Sequence, residues 1–236
     1  MDIPPADIKV EAVKGITFTC HPGRIYSLLG PNGAGKTTTL RMIATILKPT
    51  AGQIMVNGHN VVNAPTAVRA NIGFLTGSTK LYERLTPDEL IAYFAGFYDI
   101  SPSEFESRKQ KLYDLLDIHP FAKKRIGRLS TGMKQKVSIA RTMIHDPQVV
   151  IFDEPTSGLD VITAQAIIQL VRDCKAQGKT VIFSTHIMGE VELLCDDLGI
   201  IHQGQMLYNG TLTDFMQSNE GIPLVEAFIN VVANAA

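Results

Sequence analysis

Gly30-Pro31-Asn32-Gly33-Ala34-Gly35-Lys36-Thr37 matches G-x-x-x-x-G-K-[ST], the phosphate-binding loop. The apolar run Ile25-Tyr26-Ser27-Leu28-Leu29 precedes it, and Leu40, Ile43, Ala44 and Leu47 share one helical face after it. Strand, glycine loop and helix in that order predict an α/β fold. The glycines let the backbone wrap a phosphate chain, and successive amides at the helix start point at it. Asn32, Gly33, Ala34, Gly35, Lys36, Thr37 and Thr38 are therefore the candidate phosphate-binding residues. Lys36 suits the β- and γ-phosphates of a nucleotide, and the Thr37 hydroxyl suits Mg²⁺.

Moving outward, residues 10–29 read as strands, with Val13, Ile16 and Phe18 alternating before a turn at His21-Pro22-Gly23. Asn57-Gly58 marks a hairpin within residues 53–62, and Ile72-Gly73-Phe74-Leu75 reads as another strand. Thr86-Pro87-Asp88-Glu89 and Ser101-Pro102-Ser103-Glu104 are helix starts. Residues about 80–142 therefore read as a helical insertion inside an α/β core made of about 10–79 and 143–210. The single domain over 1–236 then ends in a helical tail, 211–236. Val149-Val150-Ile151-Phe152 has the continuous apolar character of a buried parallel strand. A helix with Ile167, Leu170, Val171 and Cys174 on one face follows, then a strand over 180–183, a helix near 189–195 and a hairpin turning at Gln203-Gly204. Alternating strands and helices predict a mostly parallel sheet with its ligand at the carboxyl ends of the strands.

Asp153 and Glu154 close the buried strand. A carboxylate there can hold Mg²⁺ or its waters, and the adjacent Glu can deprotonate an attacking water. Ser130 starts a helix with Met133, Val137, Ala140 and Ile144 on one face, and its free amides form a second anion-binding helix start. Ser157-Gly158-Leu159-Asp160 follows Glu154 closely. His186 lies just past the strand that should neighbour that of Asp153, where a sensor of the γ-phosphate would stand.

Composition excludes other classes. With 236 residues the chain suits one large domain. A net charge of −1 argues against nucleic acid as partner, and Lys123-Lys124-Arg125 reads as a solvated loop. Cys20, Cys174 and Cys195 lack paired spacing, which predicts reduced thiols in a cytosolic protein. No run of about 18 apolar residues or secretory signal occurs, so any work at a membrane requires a separate spanning chain.

Together, the loop at 30–37, Leu129-Ser130-Thr131-Gly132-Met133, Asp153-Glu154, Asp160 and His186 resemble the ATP-binding subunits of ABC transporters over about residues 10–215. The resemblance implies a P-loop NTPase with a RecA-like sheet, an antiparallel β-subdomain and an inserted helical subdomain. It implies ATP and Mg²⁺ as cofactors, with Thr37 and Asp153 at the metal. Glu154 corresponds to the catalytic glutamate, His186 to the switch histidine, and Asp160 to the D-loop aspartate. Ser130 and Gly132 correspond to the signature residues that touch nucleotide. Two such chains sandwich ATP head to tail, each nucleotide lying between the Lys36 loop of one and the Ser130 segment of the other. A membrane permease is the further partner, the helical insertion its docking point, and the cytoplasmic side of the membrane the place of work.

Two segments depart from that family. Asp7-Ile8-Lys9-Val10 lacks the aromatic residue expected to stack on adenine, and Pro4-Pro5 disfavours the first strand of the β-subdomain. Gly77 stands where the family has a glutamine, leaving Ser78 or water to substitute. The words Gly73-Phe74-Leu75-Thr76-Gly77-Ser78-Thr79, Leu81-Tyr82-Glu83-Arg84-Leu85-Thr86 and Leu-Ser-Thr-Gly-Met-Lys-Gln-Lys at 129–136 resemble the sodium-efflux (Nat-type) subgroup of bacterial exporters. Alternatives are export of drugs, lipids or polysaccharides, a non-transport relative acting on ribosomes or DNA, and a regulatory ATP-binding module.

Overall fold

The computed structural model describes residues 11–76 and 80–234. The readings at Asp7-Ile8-Lys9-Val10, Pro4-Pro5, Gly77 and Ser78 lie outside them.

Six strands form one sheet: β1 (Ile25–Leu29), β4 (Ile72–Thr76), β5 (Val149–Asp153), β6 (Thr180–Thr185), β7 (Asp197–His202) and β8 (Gln205–Thr211), in the order β4-β5-β6-β1-β7-β8. All neighbours are parallel except the β7–β8 hairpin. The two-stranded pair β2 (Met55–Val56) and β3 (His59–Asn60) is antiparallel, and Asn57 and Gly58 both take positive φ in its turn. Asn and Gly are the residues that tolerate that turn.

Period-two alternation divides the core. Val150 and Phe152 of β5, and Val181 and Phe183 of β6, pack into one apolar cluster with α3 (Pro87–Ala95), α4 (Pro102–Leu116), α5 (Thr131–Met143) and α6 (Val161–Ala176). Their neighbours Val149, Ile151 and Ile182 face the opposite cluster, with α1 (Lys36–Ile43) and α2 (Pro65–Asn71). This two-sided burial explains why β5 reads as continuously apolar. A third cluster joins Leu29, Leu198 and Ile200 to α7 (Met188–Leu194), α8 (Leu212–Ser218) and α9 (Leu224–Ala233).

The helix starts form as their sequences predict. Thr86 accepts from the Glu89 amide while the Glu89 carboxylate accepts from the Thr86 amide. Ser101 caps α4. Helices α3, α4 and α5 all fall within residues 87–143.

One reading needs correction. Residues 11–24 form no strand. Ile16, Phe18 and Cys20 do turn inward while Thr17 and Thr19 are exposed, and the Phe18 ring stacks on Tyr26 at 4.8 Å. The side-chain alternation is thus real, but no ladder accompanies it: the segment lies across Gly35 and Gly204, donating from the Lys14 amide to the Gly204 carbonyl.

Candidate functional site

β1, β5 and β6 all end at the same edge of the sheet, because parallel registry sets Thr185 beside Leu29 and Ser184 beside Asp153. The loop 30–35 leaves β1 there and turns into α1. Gly33 and Gly35 have φ of 80° and 108°. At Gly35 a Cβ would also come within 2.6 Å of the Ala12 carbonyl. Only glycine fits both demands. Helix α1 has no side-chain cap and no acidic residue in its first turn, leaving an electropositive start open to an anion. A cavity of ≈ 150 Å³ lies here, lined by the whole loop from Pro31 to Thr38 together with Ala12 and Glu154. Asn32, Gly33, Ala34, Gly35, Lys36, Thr37 and Thr38 are thus brought together around one space.

Lys36 is buried, and its ammonium donates to the carbonyls of Gly30 at 2.6 Å and Pro31 at 3.2 Å. Burial holds its pKa below the usual lysine value, against the opposing pull of Glu154 and Asp153. Glu154 Oε1 lies 4.0 Å from the ammonium. Asp153 is buried as well; its Oδ1 accepts from Ser184 at 2.6 Å and from Thr37 at 3.4 Å.

Glu154 takes φ of 50°, the left-handed region that non-glycine residues seldom occupy. Its amide donates to the carbonyl and the hydroxyl of Ser184, at 3.0 and 3.1 Å, which fixes the chain as it leaves β5. The unusual backbone turns the carboxylate back over the sheet edge, where Oε2 lies 3.4 Å from His186 Nδ1. One carboxylate thus faces both the loop lysine and the histidine.

Ser130, Gly132 and Asp160 do not line this cavity. They gather at the start of α5, where the Ser130 hydroxyl accepts from the Met133 amide. A Cβ on Gly132 would meet Thr163 Oγ1 at 3.0 Å and Asp160 Oδ2 at 3.4 Å. Asp160 caps α6 through the Thr163 amide and hydroxyl, which holds its pKa below the ordinary carboxylate value. Sequence reasoning missed Ser184, Gln135 and Glu190. Gln135 donates to the Pro155 carbonyl at 2.9 Å, and Glu190 accepts from two threonines. No spacing signals any of them, since each makes a contact with a segment 20 or more residues away, Ser184 with Asp153, Gln135 with Pro155 and Glu190 with Thr156.

The profile of the ABC transporter family matches residues 13–157. The chain belongs to that family. The ABC transporter ATP-binding protein NatA of Bacillus subtilis (strain 168) is 40% identical over 222 residues, covering 94% of this chain and 90% of that relative. The Nod factor export ATP-binding protein I of Paraburkholderia xenovorans (strain LB400) is 35% identical, covering 92% and 71%. Among solved structures, an ATP-binding subunit of an ABC transporter superposes with a TM-score of 0.88 at 32% identity, covering 93% and 92%. The dimeric post-hydrolysis ATP-binding cassette MJ0796 bound to ADP and Pi gives 0.77 at 27% identity, covering 85% and 90%. As an ABC ATP-binding subunit, the chain binds and hydrolyses ATP.

Proposed function

We propose that this ABC subunit is the motor of an exporter, driving efflux through a separate membrane permease, with Glu154 and His186 as its catalytic pair. The carrying observation is the placement of the Glu154 carboxylate, 4.0 Å from Lys36 and 3.4 Å from His186. In this reading the loop amides and Lys36 take the phosphates, the ammonium exchanging its two carbonyl partners for phosphate oxygens. Glu154 accepts a proton from the attacking water, and His186 holds that carboxylate and senses the γ-phosphate. Ser130, Gly132 and Asp160 lie outside the cavity of their own chain and serve the nucleotide of a second subunit.

Thr37 and Asp153 offer the hard oxygen donors that suit Mg²⁺. Among the described residues no group of three or more His, Cys, Asp or Glu is placed to hold a metal ion by itself, and Mg²⁺ does not require one, since it keeps waters and phosphate oxygens. When bound, Mg²⁺ neutralises charge on the phosphates.

Among the described residues no helix is long and apolar enough to cross a membrane. For the permease contact we assign the exposed rings Tyr82, Tyr93 and Phe97: Tyr93 makes T-shaped contacts with Tyr82, Phe94 and Phe97, which joins them into an aromatic patch at α3. Sodium is the proposed cargo, supported by the sequence at 73–79, 81–86 and 129–136 that resembles the Nat-type subgroup, in keeping with the similarity to NatA; drugs, lipids or polysaccharides are the alternatives. The test of the motor reading is Glu154→Gln: it should bind Mg-ATP normally and lose hydrolysis. Wild-type turnover by that variant would remove Glu154 as the base. Loading vesicles that carry the chain and its permease with ²²Na⁺ tests the cargo, and ATP-dependent loss of label is expected.

A further inference from the structure

Glu190 lies on α7, four residues beyond His186, and is only 7% exposed. Its two carboxylate oxygens serve different loops. Oε1 accepts from the Thr156 hydroxyl and Oε2 from the Thr185 hydroxyl, both at 2.6 Å. Both lengths are at the short end for hydroxyl hydrogen bonds. None of the ion pairs among the described residues uses Glu190. A buried carboxyl group is costly unless its oxygens are hydrogen-bonded, so filling space does not account for it.

The two donors bracket the acting residues. Thr156 comes two residues after Glu154, and Thr185 immediately precedes His186. Thr185 Oγ1 also accepts from the Ile187 amide at 3.0 Å, closing a small turn around His186. Thr156 and Thr185 are themselves buried. Gln135 of α5 holds the Pro155 carbonyl, between Glu154 and Thr156 in the chain. The backbone at Glu154 is in a sparsely populated conformation and relies on such surroundings to stay there.

We propose that Glu190 is a positioning residue for ATP hydrolysis: its buried carboxylate clamps Thr156 to Thr185, and so sets the distance between the Glu154 carboxylate and the His186 ring. The inference rests on the reading that Glu154 and His186 act on the nucleotide. Displacing a reacting group by about 1 Å costs on the order of a hundredfold in rate. Neither Glu190 nor its two threonines line the phosphate cavity, so binding does not depend on the clamp.

Glu190→Gln keeps the side chain's size but brings an N–H₂ where a hydroxyl proton now arrives. Thr156→Val removes one donor at nearly constant volume and serves as the milder variant. Each should lower kcat of the purified chain at least fivefold while the Kd for Mg-ATP stays within twofold. The double variant should lose no more than the more damaging of the two single variants, because either change opens the same clamp. Turnover within twofold of wild type in both single variants overturns the proposal. So does a loss of ATP affinity equal to the loss of rate, or multiplication of the two effects in the double variant. Glu154→Gln and His186→Ala measured alongside separate the two levels. If either turns over like wild type, the underlying reading of the site fails; if both are inactive while Glu190→Gln is normal, the clamp alone fails.

Discussion

Lys36 is buried with its ammonium resting on two backbone carbonyls. Removing it takes away the loop's one charged side chain while leaving the amides in place. Hydrogen bonds to charged groups contribute roughly 1.5–3 kcal/mol. Lys36→Ala should therefore weaken Mg-ATP binding about ten- to hundredfold, read by equilibrium titration; unchanged affinity would mean that the amides alone hold the phosphates. Gly35→Ala tests the backbone of the same loop. Its φ of 108° and the Ala12 carbonyl at 2.6 Å exclude a methyl group, so binding should fall although no functional group is lost. The phosphate loop was legible in the sequence because a phosphate demands particular residue types at fixed spacing. Ser184, Gln135 and Glu190 were not legible, because their hydroxyl, amide and carboxylate each need a partner that only the folded chain brings near, Asp153, Pro155 and Thr156.

At the scale of elements, β4 and the end of α5 are joined by His145. Its ring stacks on Tyr98 with centroids 4.1 Å apart, and its Nε2 lies 3.1 Å from the Ile72 carbonyl. Burial pushes its pKa from 6.5 to about 4, with the Ile72 carbonyl and Asp146 pulling upward and Arg108 and Lys179 adding to the fall. The unfolded chain therefore binds this proton at higher pH than the folded one. The contribution is present above pH 6.5 and is lost as the pH falls toward 4. At about 1.4 kcal/mol per pH unit it amounts to roughly 3 kcal/mol at most. Urea midpoints should drop between pH 6.5 and 4.5, and His145→Phe, which keeps the stack on Tyr98, should flatten that dependence. An equal slope in the variant would assign the acid sensitivity to carboxylates instead. Nothing in the sequence marked His145. The error over residues 11–24 has a related cause: period-two burial shows which side chains face the core, whereas a strand also needs a neighbour for its backbone groups.

At the scale of the whole molecule the site is divided between two surfaces. The cavity edge carries the phosphate loop and Glu154, while Ser130, Gly132 and Asp160 lie together elsewhere. Beside Asp160, Val161 and Ile162 are 76% and 82% exposed, large apolar groups standing in water next to polar residues that have no place in their own chain's cavity. A head-to-tail pairing around ATP accounts for both observations, and dimeric cassettes are known among the similar solved structures. Glu154→Gln should therefore sediment as a dimer with Mg-ATP and as a monomer without it, since ligand bound across an interface stabilises only the assembled form. Placing Ile162→Asp on that background should weaken the dimer. Burying one such side chain contributes roughly 1.5–3 kcal/mol, and a two-fold axis makes every contact occur twice. Loss of both copies therefore shifts the dimer constant by at least a hundredfold. The monomer's own affinity for ATP should survive, because Ile162 is not among the residues that line the cavity. A dimer indifferent to Ile162→Asp would move the interface away from Asp160. A Glu154→Gln monomer under saturating Mg-ATP would remove the sandwich itself, and with it any role for Ser130 and Gly132 at a partner's nucleotide.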